Sequence, residues 1–159
     1  MYVCLLQFIW EKVAATFMKT CPRELLEALH LNLFNTRISI NLINKGLPNH
    51  LDMVIPNQPD PYKCAAGISV SVHLGDPEDS VYLKFHHESI CHELAPGKMA
   101  VFPGYALIHR TLRPIPPTPN RRYSIVLFFQ FKRDCADKMD KYIRGSFPFI
   151  QTAEYRATV

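Results

Sequence analysis

The chain has 159 residues, with 18 Lys and Arg against 14 Asp and Glu, for a formal charge of +4. A chain of this length fits one domain that buries roughly 70% of its unfolded surface and needs no disulfide or metal staple. At 48% hydrophobic and 20% charged it is not a disordered chain, and no basic tail or stripe marks a nucleic-acid binder by charge alone.

The first 35 residues read as helical support. Leu5, Leu6, Ile9, Val13 and Phe17 recur near helical spacing over 2–19. This apolar start lacks a basic flank, and Glu11-Lys12 interrupts it, so neither a secretory signal nor a membrane span is expected. Pro22 stands at a first helical position ahead of a second helix, Glu24 to Leu31.

From Thr36 the period changes to two. Ile38, Ile40 and Leu42 alternate with Ser39 and Asn41. Further strand-like runs fall at 50–55, 67–74, 80–86, 90–94, 98–103, 105–111 and 122–131. Turn signals separate most of them, among them Pro56 to Pro61, Gly75-Asp76-Pro77, Pro96-Gly97, Pro103-Gly104 and Pro114 to Asn120. Many short strands at this spacing predict a β-sandwich or barrel. Helix spacing returns from Lys132 to Arg144 through Ala136, Met139 and Ile143. The expected organisation is one domain over 1–159, with helical support (1–35), a β core (36–131) and a C-terminal helix and tail (132–159). The five cysteines, Cys4, Cys21, Cys64, Cys91 and Cys135, are odd in number and form no C-x-x-C pair. They read as small hydrophobes of an intracellular protein, in cytoplasm or nucleus.

The chemistry lies in dispersed polar residues. His50-Leu51-Asp52 is an H-x-D, and on a strand residues i and i+2 share a face, so one imidazole and one carboxylate can meet one ion. His109 closes the run from Val101 to Ile108. Arg122-Tyr123-Ser124 opens the most apolar strand. An arginine there is costly to bury unless it meets an anion, and Ser124 shares its face. Two histidines and a carboxylate leave open positions on an octahedral metal, which selects non-haem Fe(II) for O2 chemistry. A 2-oxo acid can fill two of those positions, and Arg122 with Ser124 offers its far carboxylate a cation and a hydroxyl.

The series His50-x-Asp52, His109, Arg122-x-Ser124 resembles that of the Fe(II)/2-oxoglutarate-dependent dioxygenases, over about residues 36–131. The resemblance implies a double-stranded β-helix, or jelly roll, with N-terminal helices and a C-terminal helix. It implies Fe(II) on His50, Asp52 and His109, 2-oxoglutarate anchored by Arg122 and Ser124, O2 as co-reactant, and hydroxylation of a substrate C–H bond. Three segments, Val72 to Asp76, Ala95-Pro96-Gly97 with Val101-Phe102, and Asn120 to Phe129, look like the TET/J-binding-protein branch. That resemblance implies the methyl group of a nucleic-acid base as substrate and DNA as partner. The Arg-Tyr-Ser-Ile-Val run resembles the prolyl hydroxylases almost as well, which implies a protein side chain instead. A third reading is a non-catalytic jelly-roll binding module. It is motivated by Glu78 to Leu83 standing where the TET-like branch often has a Gly-Gly-x-Leu turn.

Other residues have two readings. Arg110 and Arg113 either line the mouth of the site or are solvated charges, and Arg121 is either a solvated neighbour of Arg122 or takes its role toward the cosubstrate. His86, His87, Cys91 and His92 form the densest His/Cys cluster. Adjacent histidines on a strand point to opposite faces, so they read as surface residues rather than a zinc site. Asn41 and Tyr82 are candidates to reach the interior.

Overall fold

A computed structural model describes residues 2–33, 36–42, 46–52, 66–75, 81–112 and 123–157. Helix α1, Tyr2–Thr20, buries Ile9, Ala14 and Phe17, and Phe17 stacks on Phe129 with ring centroids 4.9 Å apart. The Trp10 indole N–H donates to Thr36 Oγ1, tying the helix to the first strand. Helix α2, Arg23–Ala28, stops short of the predicted Leu31. Its last predicted turn is diverted into sheet pairing: Leu29 bridges Phe131, and the His30 N–H donates to the Gln130 carbonyl.

The strands are β1 Thr36–Leu42, β2 Gly67–Leu74, β3 Val81–Phe85, β4 His92–Leu94, β5 Met99–Phe102, β6 His109–Leu112 and β7 Tyr123–Gln130. One sheet has the order β1-β7-β2-β5 and the other β4-β3-β6, with antiparallel pairing throughout. From β2 onward the chain passes repeatedly between the sheets, which face each other across a cavity lined from both. The fold is a jelly roll, mainly β, flanked by N-terminal and C-terminal helices.

The central strand β7 carries both the core and the site. Ile125, Leu127 and Phe129 face the helices, whereas Ser124, Val126 and Phe128 line the cavity. Alternation on β2 likewise puts Ser69, Ser71 and His73 on the cavity side of a strand whose other face is Ile68, Val70 and Val72.

Two predicted strands differ from the structure. The H-x-D does not sit on a regular strand. Residues 47–50 run along the outer edge of β6, Leu47 N–H donating to Thr111 O, but the only bridge there is His50 to His109, and Asp52 is in a turn. Residues 53–65, with the Pro56–Pro61 stretch, lie outside the described residues. The run 105–111 becomes strand only at His109, because Pro103-Gly104 starts a turn in which the Pro103 carbonyl accepts from Ala106 and Leu107 N–H. After β7 come α3, Arg133–Ser146, a 3-10 turn, Pro148–Gln151, and a short helix, α4, Ala153–Arg156. The last two were not expected from the sequence. No helix among the described residues is long and apolar enough to cross a membrane.

Candidate metal centre

His50 and His109 are brought side by side by backbone bonding. The His50 N–H donates to the His109 carbonyl at 2.9 Å, and the His109 N–H returns to the His50 carbonyl at 3.0 Å. A residue pair that exchanges both bonds presents its side chains on one face, and the imidazole centroids stand 4.3 Å apart. Asp52 is placed by its own N–H, which donates to the Gly104 carbonyl at 2.9 Å. His50 Nε2 is then 3.7 Å from Asp52 Oδ1, and His109 Nε2 is 3.5 Å from Asp52 Oδ2. Among the described residues no other three His, Cys, Asp or Glu side chains bring their ligand atoms within 4.8 Å of one another.

The surroundings fix each donor. His50 Nδ1 is 2.8 Å from the Pro48 carbonyl, and His109 Nδ1 is 2.8 Å from the Leu107 carbonyl. A carbonyl only accepts, so each Nδ1 carries a proton and each Nε2 is the atom turned toward Asp52. This is the orienting arrangement that metal-ligating histidines need. The Ser69 hydroxyl, fully buried, donates to Asp52 Oδ2 at 2.7 Å. Burial pushes the His109 imidazole below its usual range, with His50 adding to the effect and Asp52 and the Leu107 carbonyl opposing it. A neutral imidazole is the metal-binding form.

Metal bonds of about 2.1 Å meeting at 90–109° separate their donor atoms by about 3.0–3.4 Å. The observed 3.5 and 3.7 Å exceed that by tenths of an ångström, so the three residues fit an ion. Gly104 leaves room for this: a Cβ there would lie 2.3 Å from both Asp52 Oδ2 and Ser69 Oγ.

The triad borders a cavity of about 350 Å³ between the sheets. Its lining combines apolar Leu83, Phe102 and Phe128 with polar Ser39, Asn41, Ser71, Thr111 and Ser124. Asn41, Ser124 and His73 are cross-strand neighbours in one row, and Asn41 Nδ2 lies 3.5 Å from Ser124 Oγ.

The structure thus unites His50, Asp52 and His109 and puts Ser124 in the same cavity, buried. Arg122, like Arg113 and Arg121, lies outside the described residues. Asn41 reaches the interior, but Tyr82 does not, because Leu83 takes the cavity face of β3. Arg110 faces away from the cavity for the same reason, between His109 and Thr111, which line it. His87 is partly buried rather than open to solvent: it stacks on Phe149 with centroids 4.3 Å apart. Sequence reasoning missed Ser69 and Gly104. Ser69 had a signal, a serine every second residue in an apolar strand, whereas nothing local marks the partner of Gly104.

No protein-family model matches the chain, and no curated protein matches it. Among solved structures it is similar to an RmlC-like cupin protein from Desulfovibrio desulfuricans, 16% identical over 63% of this chain and 77% of that one, with a TM-score of 0.40. It is similar to a Pseudomonas putida prolyl-4-hydroxylase, 17% identical over 61% of this chain and 52% of that one, at 0.41. It is also similar to an oxidoreductase of the 2OG-Fe(II) oxygenase family from Burkholderia pseudomallei, 21% identical over 60% of this chain and 42% of that one, at 0.37. The functional reading therefore stands on the site's own geometry.

Proposed function

We propose that the chain is an Fe(II)- and 2-oxoglutarate-dependent dioxygenase that hydroxylates a C–H bond. The observation that carries this reading is the convergence of His50 Nε2, His109 Nε2 and a Ser69-held Asp52 carboxylate on the wall of a jelly-roll cavity. Two imidazoles and one carboxylate leave coordination positions open, the donor set that suits non-haem Fe(II). Fe(II) held there supplies O2 activation, coupling decarboxylation of 2-oxoglutarate to succinate and CO2 with insertion of oxygen into the substrate C–H bond.

The protein's own part is to hold and orient. His50 and His109 turn Nε2 toward the site, each held by its Nδ1–H on a carbonyl, and the Ser69 hydroxyl keeps the Asp52 carboxylate turned toward them. Leu83, Phe102 and Phe128 give the cavity apolar lining, and an apolar wall disfavours water beside a bound substrate. Ser124, with Asn41 beside it, is assigned to the far carboxylate of the 2-oxo acid, and Arg122 supplies the countercharge on the strength of the sequence pattern.

The substrate assigned by the TET-like segments is a nucleic-acid base, and the Arg-Tyr-Ser-Ile-Val run supports a protein side chain as the second reading. Succinate release with Fe(II), 2-oxoglutarate and O2 tests the activity. Wild type should release succinate and His109→Ala should not. Stimulation by methylated DNA selects the base, and stimulation by a proline-containing peptide selects the side chain. Folded, iron-loaded wild type that makes no succinate contradicts the enzyme.

A further inference from the structure

The segment after β7 reaches back to the metal centre. Tyr155 on α4 is buried, and its hydroxyl oxygen accepts the Ile108 N–H at 2.6 Å. The carbonyl of that same peptide unit, Leu107 O, accepts the Nδ1–H of His109 at 2.8 Å. One peptide plane therefore links the phenol to the imidazole. On its other side Ile108 is pinned as well, its carbonyl accepting the His86 N–H at 2.8 Å. The phenol itself is held in place. Its ring lies 5.2 Å from that of Phe149 and 5.8 Å from that of His86, and its backbone N–H donates to Thr152 Oγ1 at 3.2 Å.

We propose that Tyr155 is a positioning residue for His109, acting through the Leu107–Ile108 peptide. This inference rests on the metal reading given above. A hydrogen bond accepted from a peptide N–H polarises the amide and makes its carbonyl a stronger acceptor. A stronger Nδ1–H···O bond fixes the tautomer and raises the donor strength of Nε2. The tail thereby sets both the direction and the basicity of one metal ligand without touching the cavity. The loop is pinned a second time upstream, where the Tyr105 hydroxyl donates to Asp140 Oδ1 at 2.8 Å and Arg144 holds the other carboxylate oxygen.

The test compares Tyr155→Phe with Phe149→Leu in the full chain, using Co(II) as the probe. Phe149→Leu loosens the packing of the same segment and leaves the hydroxyl in place. Tyr155→Phe should weaken Co(II) binding about tenfold, within the range for lost outer-shell partners. It should also shift the Co(II) absorption spectrum, and Phe149→Leu should do neither at a comparable loss of melting temperature. Equal Co(II) affinity in Tyr155→Phe and wild type overturns the proposal, and so does an equal loss in both variants. If Tyr155→Phe does not fold, 3,5-difluorotyrosine at position 155, measured at a mildly acidic pH where its phenol stays protonated, keeps the packing and weakens the phenol as an acceptor. Affinity below wild type then sustains the proposal, and unchanged affinity overturns it. If wild type takes no Co(II), the metal reading falls. In that case the His109 ring-nitrogen NMR shifts of the ion-free protein decide, since unchanged shifts in the variant overturn the role of Tyr155 and altered shifts sustain it.

Discussion

Two groupings of two histidines and a carboxylate stand out among the described residues, and in one of them the donor atoms converge. In the first, residues far apart in sequence, His50, Asp52 and His109, converge at a cavity, and each has a hydrogen-bond partner that aims it. In the second, His87, Glu88 and His92 are close in sequence around the β3–β4 hairpin. There Glu88 lies between the imidazoles, with His92 Nε2 on one oxygen and His87 Nε2 3.6 Å from the other. Its donor atoms do not converge, His92 is about half exposed, and the buried Nδ1 of His87 has no hydrogen-bond partner. Residue types and density favour the hairpin; aim favours the triad. Ligand atoms bind an ion when surrounding groups fix their tautomer and direction, and that information lies outside the ligands themselves.

The largest expected difference between the two is in the ligands. Asp52→Ala should lower Co(II) or Fe(II) affinity by more than about 100-fold, beyond the usual cost of an outer-shell partner. Glu88→Ala should leave it unchanged, as titration calorimetry can show. A comparable loss from Glu88→Ala would break the distinction.

Next come the groups behind the ligands. Gly104→Ala must displace Asp52 or Ser69, since its Cβ would stand 2.3 Å from each. An affinity loss of at least about tenfold is expected, and Ser69→Ala should cost about tenfold through the lost bond to Asp52. On the hairpin side Gly97, at φ +81, has open space around its missing Cβ. Gly97→Ala should cost about 1–2 kcal/mol of stability for the left-handed backbone and nothing in metal affinity.

The loop that carries His109 should also respond to alkali. Burial, then the Asp140 carboxylate that accepts its proton, pushes the Tyr105 phenol above its usual range. Its contribution to stability is therefore complete below the ordinary tyrosine value of about 10. It is lost as pH rises above that value, because the unfolded chain ionises while the folded one resists. Urea melts between pH 8 and 11 should show this decline, and Tyr105→Phe should reduce it. The smallest effect belongs to the hairpin. Glu88→Gln should change stability by about 1 kcal/mol or less, and by less still at high salt, because its His92 partner is exposed.

Much of this contrast was legible in the sequence. Period-two alternation and Pro/Gly punctuation locate most of the strands, and the H-x-D, the distal His109 and Ser124 stand out by residue type, spacing and family resemblance. Strand logic went wrong where other bonding took over. Leu29 and His30 left their helix for the end of β7, and 103–108 followed a turn before His109 could start a strand. Ser69 and Gly104 meet Asp52 only through the fold. Tyr155 sits on a helix of four residues, too short to leave a periodic signature. The hairpin histidines misled in the other direction: His87 looked exposed because nothing in its neighbourhood announces the distant Phe149.

The most direct measurement of the central claim is the visible spectrum under anaerobic Fe(II) and 2-oxoglutarate. Wild type and His92→Ala should both develop a weak charge-transfer band that His109→Ala lacks. A folded wild type without the band, or a band that survives His109→Ala and disappears in His92→Ala, would contradict the account.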